Sequence, residues 1–232
     1  MCKSATTALL LCATALAHAQ DGGLTVSMGI KAWAAEWSSF TYAKDIVTNE
    51  TVIALVDPVS RVLLVPSVSV RWGDWLASAS AFSQGYDGQT RREWDVNAGW
   101  RLMPGVTFTV GYKSIAQVGT YRYKPKGWTI GANAAAPLSG AWSLYGSLGL
   151  GRMTTEQGGN VINKIVSFSP SPYRIVEVGI AYGLPMDGFA SALNVALGYR
   201  TQVLVSKGVN DSGGGSANDL TQGASLTVSA SF

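Results

Sequence analysis

Along most of the chain, apolar residues alternate with small or polar ones at a period of two. This is the spacing of a strand with unlike faces, and helical spacing is nowhere sustained over a useful length. The last residues carry the pattern most clearly. Leu220, Gln222, Ala224, Leu226, Val228, Ala230 and Phe232 alternate with Thr221, Gly223, Ser225, Thr227, Ser229 and Ser231, so one face is nearly all apolar and the other small or polar. The same division recurs in nine other segments and predicts strands over 24–37, 61–72, 75–86, 92–103, 106–117, 127–137, 142–154, 173–184, 189–205 and 220–232. The second segment carries the weakest pattern, because residues 62–65 are continuously apolar and Pro66 removes a ladder donor.

The connections alternate in length. Gly73-Asp74, Met103-Pro104-Gly105, 137–141 and 185–188 are tight, whereas 38–60, 87–91, 118–126, 155–172 and 206–219 are longer. An even strand number with short turns at one end and longer loops at the other predicts an all-β fold. It is a closed antiparallel up-and-down transmembrane β-barrel of about ten strands, with turns periplasmic and loops extracellular. Eight strands with ordered loop hairpins are the structural alternative. Gly73-Asp74 suits a two-residue turn led by glycine, and Met103-Pro104-Gly105 a three-residue hairpin with glycine in the left-handed position.

Aromatic residues fall at two heights on such a barrel. Trp72, Trp75, Trp100, Trp142, Tyr182, Phe189 and Phe232 lie near the turn end, and Trp94, Tyr112, Trp128 and Tyr199 near the loop end. All share the parity of the apolar face, as expected of rings at two membrane–water interfaces. A soluble sandwich would need larger core partners than the alanines of that face.

Composition agrees. Hydrophobic residues make up 47% of the 232 and charged residues 13%, about half the roughly 25% of soluble proteins. Beyond the start there is no apolar run of about 18 residues to supply a helical span. The start itself reads as a secretory signal. Lys3 supplies the positive end, residues 8–16 the apolar core, and Ala17, His18 and Ala19 a small-x-small cleavage site, giving a leader over 1–19 and a barrel domain over 20–232. Leu11 before Cys12 does not suit a lipoprotein site.

Cleavage there removes Cys2, Cys12 and the single histidine, His18. Disulfides, thiol chemistry, zinc sites built on Cys or His, and Ser-His or Cys-His nucleophiles are then excluded, and neither cofactor nor metal is expected. The formal net charge of +3 loses Lys3 and becomes +2, too slight to imply a nucleic-acid partner.

With its alternating strands, uneven connections and terminal Phe232, the sequence resembles the small outer-membrane β-barrel superfamily, which includes eight-stranded OmpX-like proteins and ten-stranded omptin-like proteases. The resemblance is architectural and runs from about Gly22 to Phe232. It implies a Gram-negative outer membrane and contact with its lipid bilayer and lipopolysaccharide. It also implies a transient partner in the barrel assembly machinery, for which Phe232 on the last strand is the assembly signal. Omptins carry acidic residues and an Asp-His pair at the outer rim, and barrel lipid enzymes also rely on histidine. Residues 20–232 contain none, so no catalytic residue carries over.

Strand parity turns Lys31, Arg71, Glu93, Asp95, Asn97, Arg101, Lys113, Asn133, Glu177, Asn194 and Arg200 inward and sets Asp95 opposite Lys113. The inward strand glycines, such as Gly179 and Gly198, relieve crowding and let the sheet curve. The bland reading is a lumen filled by ion pairs, a non-enzymatic barrel whose structural or surface-interaction role lies in loops 38–60 and 155–172. The alternative is a narrow pore with weak anion preference, lined by Lys31, Arg71, Arg101, Lys113 and Arg200 against Glu93, Asp95 and Glu177. A third reading makes Glu93 and Asp95 rim carboxylates of a surface enzyme. They lack an identifiable nucleophile or orienting group and stand beside Lys113, which favours an ion-pair cluster. Loop 206–219, with Asp211, the glycine run 213–215 and Asp219, has the composition of a mobile segment. No helix follows that run, so it is no phosphate cradle, and Gly111-Tyr112-Lys113-Ser114 misses the phosphate-loop spacing.

Overall fold

The computed structural model describes residues 23–44, 51–86, 89–118, 121–159, 162–207 and 216–232, and the regular elements within them are all strands. In chain order these are β1 (Leu24–Lys44), β2 (Thr51–Trp72), β3 (Trp75–Tyr86), β4 (Gln89–Met103), β5 (Val106–Val118), β6 (Tyr121–Ser139), β7 (Trp142–Gly159), β8 (Ile162–Pro185), β9 (Ala192–Lys207) and β10 (Ser216–Ser231). Each pairs antiparallel with its chain neighbours, and β1 with β10, to close one barrel. The wall therefore has ten strands rather than eight with loop hairpins. The expected leader, 1–19, lies outside the described residues.

Alternation decides which face each side chain takes. On β4, Trp94, Val96, Ala98 and Trp100 are exposed, whereas Glu93 is buried and Asp95 and Asn97 are half-buried between them. The sorting is opposite to that of a water-soluble protein. Ile30, Leu64, Val110, Leu148, Val178 and Leu197 are exposed, and Arg91, Lys113, Glu177 and Gln202 are buried. An apolar exterior around a polar interior is stable where the surrounding medium is hydrocarbon.

The short-turn end follows the sequence closely. Trp72 pairs with Trp75 across Gly73-Asp74, with Gly73 at φ +58°. Gly105 sits at φ +78°, and a register shift between Arg101 and Met103 marks the bulge that accompanies such a connection. Two turns differ from expectation. β6 continues through Pro137 to Ser139, where a register shift absorbs the proline, so only Gly140 and Ala141 remain as the turn. β9 begins at Ala192 rather than 189. Phe189 shares the outward parity of Leu193 and Val195, which extended the pattern, but the Met186 N–H closes on the Ser191 carbonyl at 3.1 Å and keeps 186–191 as a connection.

At the other end the strands outrun the prediction. β1 ends at Lys44 instead of 37, β2 starts at Thr51 instead of 61, β7 ends at Gly159 instead of 154, β8 starts at Ile162 instead of 173, and β10 starts at Ser216 instead of 220. Beyond the outer aromatic row neither face has to be apolar, so the period-two contrast fades while the ladder continues. Loops 38–60 and 155–172 are thus largely hairpin strands. Asp211 and the glycine run 213–215 lie outside the described residues, and Asp219 belongs to β10 rather than to a loop.

Two ladders stop early. β2 and β3 pair only from Trp72↔Trp75 to Ser67↔Ser80, ending beside Pro66, which has no N–H to donate. Behind that seam Trp33, Ala35 and Leu63 pack together with Val65 and Phe82 against them. β8 and β9 pair only up to Tyr173↔Leu204, although β8 starts at Ile162. Among the described residues, the outer parts of β2 and β8 therefore each keep one edge unpaired, whereas β10 follows β1 to Tyr42 and β6 follows β7 to Gly159.

Candidate functional site

The inward faces of the strands bring their charges together at three heights. At the short-turn mouth, Arg71 and Arg101 come from the inner ends of β2 and β4. Arg101 reaches Asp74 at 3.7 Å. Above them opens a vestibule of about 790 Å3, whose wall includes Lys31, Arg71, Arg101, Tyr145, Glu177 and Arg200.

Glu177 is its ceiling. Lys31 Nζ donates to both carboxylate oxygens, at 2.7 and 2.5 Å, and Arg200 Nη1 lies 3.4 Å away. The Tyr145 hydroxyl donates at 3.1 Å and Ser225 Oγ at 3.2 Å. Donors from β1, β7, β9 and β10 thus converge on one acid of β8. Arg200 also lies over the Trp33 ring, 5.0 Å from its centroid, an arrangement favoured by the ring quadrupole.

Room for Tyr145 comes from paired glycines. Gly179 stands opposite both Tyr145 and Gly198. A Cβ on Gly179 would lie 2.7 Å from the Tyr145 ring, and one on Gly198 would collide with its hydroxyl. A smaller cavity of about 210 Å3 continues upward past Asn133, Ser147 and Arg200 to Asp95, Lys113 and Tyr173.

A second network lies in the lumen above. Asp95 stands opposite Lys113 in the β4–β5 ladder, 3.8 Å from its Nζ, and accepts from Ser80 Oγ at 2.8 Å and Asn97 Nδ2 at 3.0 Å. Glu93 takes Lys113 at 2.9 Å, Arg91 Nε at 2.7 Å and Gln202 Nε2 at 3.2 Å. Arg91 continues to Asp219 at 3.5 Å, which also accepts from Trp37 Nε1 at 2.6 Å. The Tyr173 hydroxyl donates to Gln202 Oε1 at 3.0 Å. Beside this chain Ile115, Met153, Tyr173 and Leu204 form a buried apolar cluster. Arg91, Glu93 and Lys113 are 2%, 3% and 4% exposed.

Of the inward charges expected from parity, Lys31, Glu177 and Arg200 form the lower network, Glu93, Asp95 and Lys113 the upper one, and Arg71 and Arg101 the mouth. Sequence reasoning missed Arg91 and Asp219 because both lie beyond the expected strand ends. Arg91 shares parity with Glu93 and Asp95, and Asp219 with Thr221, Gly223 and Ser225. Continuing the period by one step on β4, and extending β10 outward, finds both. Tyr145, Tyr173 and Gln202 also have inward parity, but they carry no formal charge to draw attention.

The outward aromatics form contact groups at both heights. Trp75 and Trp100 meet at 4.5 Å, Trp142 and Tyr182 at 4.8 Å, and Phe189 and Phe232 at 5.1 Å near the short turns. Trp94, Tyr112 and Trp128 form a chain at 5.7 and 5.4 Å near the other end. Trp72 and Tyr199 are also exposed. Between these rows the exterior is apolar.

The chain is similar in structure to the outer membrane protease OmpT from Escherichia coli, with a TM-score of 0.53 and 9% identity over 90% of this chain and 96% of that one. The fold is that of an outer-membrane β-barrel. Other similar structures are Neisserial surface protein A (TM-score 0.43, 13% identity, 91% and 98% of the two chains) and the P. putida toluene transporter TodX (TM-score 0.32, 9% identity, 94% and 92%). No protein-family model matches the sequence, and no curated protein matches it. The likeness to OmpT at this identity is one of fold.

Proposed function

We propose that this outer-membrane barrel is non-enzymatic, sealed through its outer half, and acts through the β1–β2 and β7–β8 hairpins as a surface-interaction protein. The observation that carries this reading is the buried chain Asp219–Arg91–Glu93–Lys113–Asp95 across the lumen. Buried charges with satisfied partners fix a barrel rather than conduct through it, because opening a path would strip each ion of its partner. Glu93 and Asp95, the acids nearest to a catalytic pair, share Lys113 and are committed to holding it. The uncovered edges of β2 and β8 suit pairing with an extended segment of a partner.

The same reading takes the protein to a Gram-negative outer membrane by way of the leader over 1–19. There the exposed apolar band meets the bilayer and lipopolysaccharide, and the assembly machinery reads Phe232. Deleting Phe232 is expected to lower surface assembly, and unchanged surface levels would count against that role.

Single-channel recording on the refolded barrel tests the seal, with Lys113→Gln and Arg200→Gln variants beside it. A silent bilayer holding demonstrably folded protein is expected. Steady conductance steps whose ion preference shifts in the variants would replace the sealed reading with an anion-preferring pore.

A further inference from the structure

The two charge networks are not balanced alike. The upper one sets Arg91 and Lys113 against Glu93, Asp95 and Asp219. The vestibule below sets Lys31, Arg71, Arg101 and Arg200 against Glu177 as its single lining acid. Arg101 leans on Asp74 at the turn, outside the cavity lining. Arg71 has no ion-pair partner among the described residues. Arg200 spends one guanidinium nitrogen on Glu177, while its Nε is buried without a hydrogen-bond partner.

The remaining wall is made mostly of small residues, with apolar stretches at Val65, Leu76, Ala181 and Ala196 between hydroxyls such as Ser67, Thr107 and Thr227. Its volume, about 790 Å3, lies within the range of small-molecule sites, roughly 300–1,000 Å3. An inorganic ion would leave most of it unfilled.

We propose that the vestibule is a binding site for an organic anion, a phosphate- or carboxylate-bearing molecule with an apolar body, that enters from the short-turn mouth. The anionic group is held by the wall cations, with Arg71 free to close on it, and the body lies against the alanines and Val65. The site rests on the sealed-lumen reading only in that the seal makes the vestibule blind.

The test is binding of 1-naphthyl phosphate to the refolded barrel in detergent, followed calorimetrically, with 1-naphthol and inorganic phosphate as comparison probes. One saturable site per chain is expected for 1-naphthyl phosphate, with inorganic phosphate weaker and 1-naphthol weaker still. Arg71→Gln is expected to lower affinity about tenfold, the loss of one charge-assisted contact. Ala196→Phe, which fills the cavity, is expected to abolish binding. Barrels that pass a heat-dependent gel-mobility check yet bind none of the probes would overturn the proposal. So would naphthol binding as tightly as its phosphate, or affinity unchanged in both variants. Conductance in a planar bilayer reports the seal separately, so failure of the seal and failure of the site are distinguishable.

Discussion

Glu93 and Glu177 sit at the centres of two networks that are built alike but differ in their surroundings. Each gathers cations and neutral donors from three or more strands. Glu93 is enclosed by Arg91, Lys113 and Gln202, all nearly inaccessible, with buried side chains beside them. Glu177 lines, with Lys31, Tyr145 and Arg200, a vestibule that opens toward the short turns. The contrast separates two uses of a buried carboxylate. One is enclosed together with its cations, whereas the other limits the positive charge of a cavity wall.

Removing the charge of Glu93 is the most direct way to break that comparison. Glu93→Gln takes the charge from the carboxylate that Arg91 meets at 2.7 Å and Lys113 at 2.9 Å, with both cations buried. Loss of one partner of a buried pair costs about 3–5 kcal/mol. The expected result is a marked drop in the urea concentration at which the refolded barrel loses its folded gel mobility. A loss below about 1 kcal/mol, the scale of an exposed pair, would mean that water already reaches this layer.

Glu177→Gln is expected to cost less, about 1–3 kcal/mol, because Lys31 and Arg200 gain solvation from the vestibule and the amide retains hydrogen-bonding capacity. It also sharpens the contrast through a second readout. With the vestibule's single lining acid neutralised, affinity for 1-naphthyl phosphate is expected to rise severalfold, whereas Glu93→Gln leaves it nearly unchanged. Equal effects of the two variants on affinity would show that the networks are not separate.

The sequence made some of this architecture readable and hid the rest for identifiable reasons. Between the aromatic rows, apolar and polar surroundings alternate at every residue, so strands such as Trp75–Tyr86 could be bounded closely from the alternation alone. The pairing of Asp95 with Lys113 followed from counting back from the hairpin at Gly105. Arg91 and Asp219 were hidden because the signal fades before the ladder does. The convergence of Lys31, Tyr145, Arg200 and Ser225 on Glu177 depends on barrel closure. It joins residues up to 146 positions apart, and alternation within one strand says nothing about which distant strand lies across the lumen. Nor did inward parity distinguish an enclosed network from a vestibule, since both are polar.

The smallest expected effect concerns how the lower network is kept in place. Tyr145 reaches Glu177 only because Gly179 and Gly198 leave a slot for its ring. A methyl group at Gly198 would collide with the Tyr145 hydroxyl and stand 2.9 Å from the Val178 carbonyl. The tyrosine end is flexible, so Gly198→Ala is expected to cost about 1 kcal/mol, the low end of overpacking effects. Tyr145→Phe, which removes only the hydroxyl, is expected to cost a similar amount, about 0.5–1.5 kcal/mol. The double variant separates a local backbone clash from displacement of the tyrosine. If the alanine acts by pushing the hydroxyl away from Glu177, its cost shrinks when that hydroxyl is already absent, and the two effects fall short of their sum. Full additivity would assign the cost to the Val178 contact and leave the slot with no part in positioning Glu177.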